Sequence, residues 1–124
     1  MRQPIIGVGR VTPHAVGVYI GRGSVFGNEW SHRPGTKATY RVRTRQEAID
    51  RYREWLHATL ADSTAVTVAF NKLLTEARTS AVMLLCYCAP HPCHGDVIRG
   101  ELLARLAQEA HHRDSNFTGT TESG

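Results

Sequence analysis

Short apolar runs predict the strands of this chain. Residues 15–20 and 81–88 are rich in β-branched, aromatic and other apolar side chains, and turn-forming residues follow each run. A weaker run at residues 5–11 contains two glycines, which disfavour strand structure without excluding it. Since residues 81–88 form the most hydrophobic segment, we expect them to be a central strand buried on both faces.

Three other segments repeat apolar residues at helical spacing. Thr44 and Glu47 form a capping box, and we expect the helix behind it to run to about residue 61. A second helix follows the break at residues 62–64, although residues 66–68 also fit the start of a strand. The last helix begins near residues 94–96. The apolar positions of the three helices are Ala48, Ile49, Tyr52, Trp55, Leu56 and Leu60; Val66, Phe70, Leu73, Leu74 and Ala77; and Val97, Ile98, Leu102, Leu103, Leu106 and Ala110.

This order of elements predicts a small α/β domain. Apolar strands joined by helical crossovers are typical of a three-layer, Rossmann-like fold with a mainly parallel sheet covered on both faces. We expect one domain over residues 1–112 and a polar, flexible tail over residues 113–124. The loops at residues 21–30 and 86–96 leave the carboxyl ends of two strands, so they should meet at the edge where such sheets bind ligands.

Composition limits the class of protein. A chain of 124 residues with 41% hydrophobic residues is enough for one modest core. No apolar run approaches the roughly 20 residues that span a bilayer, and the first ten residues lack the pattern of a signal peptide. We therefore expect a soluble, cytoplasmic protein without a membrane partner.

The net charge of +4 makes anionic partners plausible, but the basic residues do not form a separate tract. The densest group also contains acidic residues, so it fits an ion-paired helix face as well as a phosphate-binding surface. The basic members are Arg41, Arg43, Arg45, Arg51 and Arg53, and the acidic ones are Glu47, Asp50 and Glu54.

The glycine-rich loop after the first long strand is a candidate ligand-binding segment. Its glycines allow close approach of the backbone to a ligand, and Arg22 offers a charged fork to a phosphate or carboxylate. The loop is neither a Walker loop nor a dinucleotide-binding fingerprint, and a simple turn would also explain it. The candidate ligand-binding residues are Gly21, Arg22, Gly23, Ser24, Gly27, Asn28 and Trp30.

The second loop concentrates the cysteines of the chain. Cys86, Cys88, Cys93 and the adjacent His94 offer the donors that tetrahedral zinc prefers. Clustered cysteines do not suit a disulfide framework, which spreads its cysteines along the chain. The alternative is that the thiols behave as small hydrophobic groups in the core.

The same loop allows a catalytic interpretation. Cys93, His94 and Asp96 lie at the expected start of the last helix, where the helix dipole favours a thiolate. Cys93 would then be a nucleophile, with His94 or Asp96 as a general base or Asp96 orienting a sugar hydroxyl. Asp96 also suits a purely capping role, which needs no ligand.

Three segments together resemble a known family. They are VYIGRGSVFGN at residues 18–28, YREWL at residues 52–56 and LCYCAPHPCHGD at residues 85–96. They are similar to the domain of unknown function numbered 4326, which occurs in bacteriophages, bacteria and some other genomes. The resemblance covers residues 18–107 and implies that both loops belong to the family signature, but no activity comes with it.

The chain departs from that family pattern at two positions. Glu29 stands where the family usually has proline, and Tyr87 where it usually has tryptophan. The negative charge of Glu29 speaks against a purely anion-binding pocket around Arg22.

The sequence thus leads to two functional hypotheses. In the first, the domain binds or processes a nucleotide or nucleotide-derived ligand at the two loops, with the question of catalysis left open. In the second, it is a zinc-stabilised bacteriophage module that binds nucleic acid or a host protein. Zinc is the cofactor considered, and an anionic small molecule or nucleotide is the favoured partner.

Overall fold

The computed structural model describes residues 3–28, 30, 31, 40–89 and 91–123. It contains strands β1 (Ile6–Arg10), β2 (Val18–Tyr19), β3 (Trp30–Ser31), β4 (Tyr40–Arg41) and β5 (Val82–Cys86), and helices α1 (Arg45–Leu60), α2 (Ala65–Ala77) and α3 (His94–Ser123). In the part of the chain described, no helix is both long and apolar enough to cross a membrane.

The main sheet has three parallel strands in the order β1-β5-β2. Ile6 pairs with Val82 on one side of β5, and Val18 pairs with Leu84 on the other. The α/β class and the mainly parallel sheet are therefore confirmed, and the arrangement is consistent with a Rossmann-like domain.

Side-chain caps begin the first two helices. The Thr44 hydroxyl accepts a hydrogen bond from the Glu47 amide at 3.0 Å, and the Glu47 carboxylate accepts one from the Arg43 amide at 3.1 Å. The Thr64 hydroxyl accepts from the Thr67 amide at 3.2 Å and so starts α2. Residues 66–68 are consequently helical, and the strand alternative for them is wrong.

One hydrophobic core joins the helices to one face of the sheet. Tyr52 and Leu56 of α1, Phe70 of α2 and Ile98 of α3 are fully buried. Alternate residues of β5, Val82, Leu84 and Cys86, belong to the same core. Burial of each large apolar side chain contributes about 1.5–3 kcal/mol to the free energy of folding. This contribution explains why such short strands are stable.

The opposite face of the sheet is less buried. Gly7 and Gly9 of β1 lie beside Met83, whose side chain occupies the space above them and is 42% exposed. Leu85 is buried but lies outside the helix-covered core. Burial of the central strand, expected at every position, thus holds at four of its five residues.

Several boundaries differ from the sequence predictions. β2 has only two residues because Gly17 and the exposed Val16 fall outside the ladder, although the Ile20 amide still donates to the Leu85 carbonyl at 2.9 Å. The segment expected to be irregular contributes the β3–β4 pair. The helix α3 extends to Ser123, and the division of the chain at residue 112 stays a prediction.

The amino end of α3 lies unusually close to the sheet. Gly95 is buried, and a Cβ atom there would lie 2.9 Å from Val8 Cγ1 and 3.0 Å from Ile20 Cδ1. The Arg99 guanidinium donates to the Ile6 carbonyl one turn later. Any larger residue at position 95 would require Val8 and Ile20 to shift.

We expect Gly95→Ala to lower the free energy of unfolding by about 1–3 kcal/mol, because the added methyl group would force Val8 and Ile20 apart. Gly100 is the matched control, since it lies in the same helix with open space around it. Gly100→Ala should raise the free energy of unfolding by about 0.5–1 kcal/mol. Urea denaturation measures both, and equal effects would contradict the close-approach argument.

Candidate functional site

The two loops singled out from the sequence come together at the carboxyl edge of the sheet. The His94 Nε2 atom lies 2.6 Å from the Ile20 carbonyl oxygen, so the start of α3 is joined to the end of β2. On the other side of β5, the Val11 amide donates to the Cys86 carbonyl at 3.0 Å. The ends of all three strands therefore lie around the second loop.

His94 is a buried residue that orients α3. Because a carbonyl oxygen only accepts, the His94 Nε2 atom is the donor to Ile20. The Tyr52 ring meets the imidazole edge-on, with 5.1 Å between ring centroids. Burial lowers the pKa of His94, so the neutral imidazole is the favoured form.

Three thiols form a compact cluster beside His94. The sulfur atoms of Cys86, Cys88 and Cys93 all lie within 4.8 Å of one another, and those of Cys86 and Cys93 are 3.3 Å apart. Cys86 and Cys93 are buried, and Cys88 is half-buried. The structure thus brings together three of the four expected metal ligands, while the Nε2 atom of His94 is directed at Ile20 instead.

Cys93 is the N-cap of α3. Its sulfur atom accepts a hydrogen bond from the Gly95 amide at 3.3 Å, and its own amide donates to the Asp96 carboxylate at 3.0 Å. This reciprocal pair has the pattern of a capping box with a thiol in place of a hydroxyl. Asp96 is exposed and serves the start of the helix through this bond.

Electrostatics within the cluster favour a thiolate at Cys86. Hydrogen bonds from the Cys88 and Cys93 thiols lower the pKa of Cys86. Hydrogen bonding with Cys86, followed by that with Cys88 and by burial, raises the pKa of Cys93. The direction for Cys93 is opposite to the one expected from its place at a helix terminus, because the hydrogen bonds with Cys86 and Cys88 and burial outweigh the lowering effect of the Gly95 amide on its pKa.

Cys88 also interacts with a positive charge. Its hydrogen bond with Cys86 raises the pKa of Cys88, whereas the positive charge of Arg45 opposes that shift. The cluster therefore combines sulfur donors, shared negative charge and a nearby guanidinium.

Internal hydrogen bonds hold the glycine-rich loop in shape. The Ser24 and Gly27 amides donate to the Gly21 and Ser24 carbonyls at 3.1 Å, and the Ser24 hydroxyl donates to the Gly21 carbonyl at 2.6 Å. The Arg22 Nε atom donates to the Asn28 carbonyl at 2.9 Å. Gly23 has a φ of 97°, which favours glycine at that turn.

The end of this loop is fastened to α1. Asn28 is buried. Its side-chain Nδ2 atom donates to the Ala48 carbonyl at 3.3 Å, and its Oδ1 atom accepts from the Trp30 backbone amide at 2.9 Å. The Tyr52 hydroxyl donates to the Phe26 carbonyl at 2.8 Å. Trp30 is half-buried and stacks on Tyr40, with 5.5 Å between ring centroids. These contacts stabilise the loop, and any ligand contact by its residues remains a prediction.

The part of the basic cluster that lies on α1 is partly neutralised. Arg53 lies 3.1 Å from Asp50, and Arg51 lies 3.9 Å from Glu54. The ion-paired interpretation of this helix face agrees with these contacts.

Sequence reasoning missed two aromatic residues at the site. The rings of Tyr19 and Tyr87 meet edge-to-face, with 6.0 Å between their centroids. Tyr87 lies within the loop that contains the cysteines, Tyr19 lies two residues before the glycine-rich loop, and both are exposed. The sequence did offer one signal: each tyrosine lies near the end of an expected strand, and the ends of these two strands were expected to meet.

Comparison with known proteins identifies a family but no characterised relative. The family model described as Domain of unknown function (DUF4326) matches residues 8–104, which is more than three quarters of the chain. No curated protein matches significantly. No solved structure does either.

We expect Asp96→Ala to lower the free energy of unfolding by about 1 kcal/mol, because the Cys93 amide loses its capping partner. Asp50 is the matched control: it is also an exposed helical aspartate, but it bonds only to exposed side chains. Asp50→Ala should change stability by less than about 0.5 kcal/mol. If chemical denaturation finds no difference between the two variants, Asp96 is not a structural cap.

Proposed function

Since the chain belongs to the DUF4326 family, whose description gives no activity, we propose a function from the geometry of its own residues. The protein is a zinc-binding α/β domain whose ligands are Cys86, Cys88 and Cys93. The observation that carries this proposal is the convergence of three sulfur atoms within 4.8 Å.

The spacing of the sulfur atoms suits zinc. Tetrahedral zinc with bonds of about 2.3 Å to sulfur requires neighbouring sulfur atoms about 3.8 Å apart. The 3.3 Å separation of Cys86 and Cys93 and the 4.8 Å limit for the cluster bracket that distance. Small adjustments of side-chain torsions would therefore let the three sulfur atoms hold one zinc ion and leave its fourth coordination position for another ligand.

The chemistry of the surroundings supports the same proposal. Zinc binds thiolates, and the cluster already favours the thiolate form at Cys86. The Gly95 amide donates to the Cys93 sulfur, as amides commonly do to metal-bound thiolates.

A zinc ion held here would join three elements of the fold. Cys86 ends the central strand, Cys88 lies in the loop and Cys93 caps α3. Because binding free energy adds to folding free energy, the ion would stabilise the docking of α3 on the sheet. That contribution would also maintain the geometry of the neighbouring glycine-rich loop.

We expect protein purified without chelator to contain one zinc ion per chain by native mass spectrometry. Serine at position 86, 88 or 93 should weaken zinc binding by more than the roughly 10–100-fold that loss of an outer-sphere partner costs. Removal of zinc by a chelator should lower the melting temperature, and added zinc should restore it.

His94→Asn is the informative comparison. It removes the bond to Ile20 but no thiol, so it should weaken zinc binding less than the loss of any one cysteine does. Substitution with cobalt reports the donor set, because charge-transfer bands from sulfur to cobalt weaken with each thiolate removed. Metal-free protein with three titratable thiols and an unchanged melting temperature would refute the proposal.

A second candidate function is the binding of a nucleotide or nucleotide-derived ligand at the same edge of the sheet. The observation that favours it is the exposed guanidinium of Arg22, whose bonds run to the Asn28 and Trp30 carbonyls. Among the residues that the structure describes, no carboxylate pairs with it. An anionic ligand would supply the missing charge at an edge where parallel sheets bind ligands.

The nearby polar groups have defined roles in this second candidate. Arg22 and the backbone of the glycine-rich loop hold the phosphate. The exposed Asp96 lies at the start of α3 and orients a ribose hydroxyl. His94, and Cys93 when it is not bound to zinc, supply the remaining reactive or orienting groups.

We expect Arg22→Ala to weaken the binding of adenosine 5′-monophosphate by about ten-fold and to leave adenosine unaffected, because only the phosphate uses the charged contact. Arg51→Ala is the control, since Arg51 has its own partner on α1. Isothermal titration of zinc-loaded protein measures both. Tighter binding to an oligonucleotide, with affinity falling steeply as salt rises, would favour the nucleic-acid-binding module instead.

A further inference from the structure

Tyr19 and Tyr87 form an exposed aromatic pair outside the hydrophobic core. Tyr87 is 63% exposed and Tyr19 is 38% exposed, and neither belongs to the hydrophobic core. Aromatic side chains normally bury much of their area, so a pair left in solvent is available for another contact.

The pair lies at the ligand-binding edge of the sheet. Tyr19 ends β2, and Tyr87 directly follows β5, the strand with which β2 pairs. Tyr87 stands between Cys86 and Cys88 in the chain, and Tyr19 is three residues from Arg22. The two rings therefore adjoin both the thiol cluster and Arg22.

The Tyr19 ring is fixed before any ligand arrives. Its hydroxyl donates to the Arg22 carbonyl at 2.8 Å. The ring also lies against Gly21 so closely that a Cβ atom there would overlap it. A ring held in one orientation loses little conformational freedom when it binds, which favours recognition.

The geometry of the pair leaves ring faces open. The Tyr19 and Tyr87 planes are inclined at 72°, and an edge-to-face contact covers one face of only one ring. The Trp30 and Tyr40 rings differ in this respect, because their planes are inclined at 25° and stack on each other. Of these two aromatic pairs, the Tyr19–Tyr87 pair is the better platform for a third ring.

We propose that Tyr19 and Tyr87 bind the planar heteroaromatic ring of a nucleobase by stacking, with the anionic part of the same ligand directed towards Arg22. This inference rests on the second candidate function and identifies the part of the ligand that the aromatic pair recognises. Stacking tolerates every base, so the pair would select a planar ring without selecting a particular base.

The test compares zinc-loaded wild-type protein with Tyr87→Ala, Tyr87→Phe and Tyr40→Ala by isothermal titration. The probes are the four common nucleoside 5′-monophosphates and ribose 5-phosphate, which has the phosphate but no base. We expect Tyr87→Ala to weaken nucleotide binding by about 5- to 150-fold and to leave ribose 5-phosphate unaffected. Tyr87→Phe, which keeps the ring, should bind nucleotides as the wild type does.

Tyr40→Ala removes an equally exposed tyrosine outside the main sheet and should change nucleotide binding by less than two-fold. Zinc content and circular dichroism check that each variant is folded. If ribose 5-phosphate binds as tightly as the nucleotides and Tyr87→Ala weakens neither, the stacking proposal is wrong while the anion site stands. If neither the nucleotides nor ribose 5-phosphate bind the wild type, the stacking proposal and the second candidate function both fall.

Discussion

The contact between the start of α3 and the end of β2 determines the geometry of the whole site. The His94 Nε2 atom donates to the Ile20 carbonyl, and Gly95 lets the helix approach Val8 and Ile20. This docking places the sulfur atom of Cys93, the N-cap of α3, 3.3 Å from the sulfur atom of Cys86 at the end of the central strand. A longer distance between helix and sheet would separate the thiols and the two loops together.

Most polar side chains at this edge already have structural partners. Asn28 joins the glycine-rich loop to α1, Ser24 closes a turn within the loop, and Asp96 caps α3. Within the described residues of this edge, the sulfur atoms, the guanidinium of Arg22 and the exposed tyrosine rings are the groups with chemistry left over. The zinc proposal uses the sulfur atoms, whereas the nucleotide and stacking proposals use Arg22 and the tyrosine rings together with Asp96 and His94. The proposals therefore occupy neighbouring parts of one edge.

The sequence predicted the elements with strong local signals. The capping box at Thr44 and Glu47 located α1, and the apolar run around Leu84 located the central strand. It also predicted that the two loops would meet, since parallel strands end at one edge. It could not predict that His94 would bond to Ile20, because that contact joins residues 74 positions apart and depends on how the helix docks. The sequence also did not predict the exposure of Tyr87. Residues 81–88 form one apolar run, and nothing in that run shows that the strand ends at Cys86.

The separation of contacting residues along the chain differs greatly within this one site. The three cysteines lie within eight consecutive residues, so bringing them together closes only a short loop. The bond between Ile20 and His94 closes a loop of 74 residues and costs more chain entropy. The thiol cluster is thus a local structure in the topological sense, whereas the glycine-rich loop joins it only through contacts distant in sequence. The docking of β2 beside β5 therefore accounts for the larger part of the loss of chain entropy when this edge of the sheet is assembled.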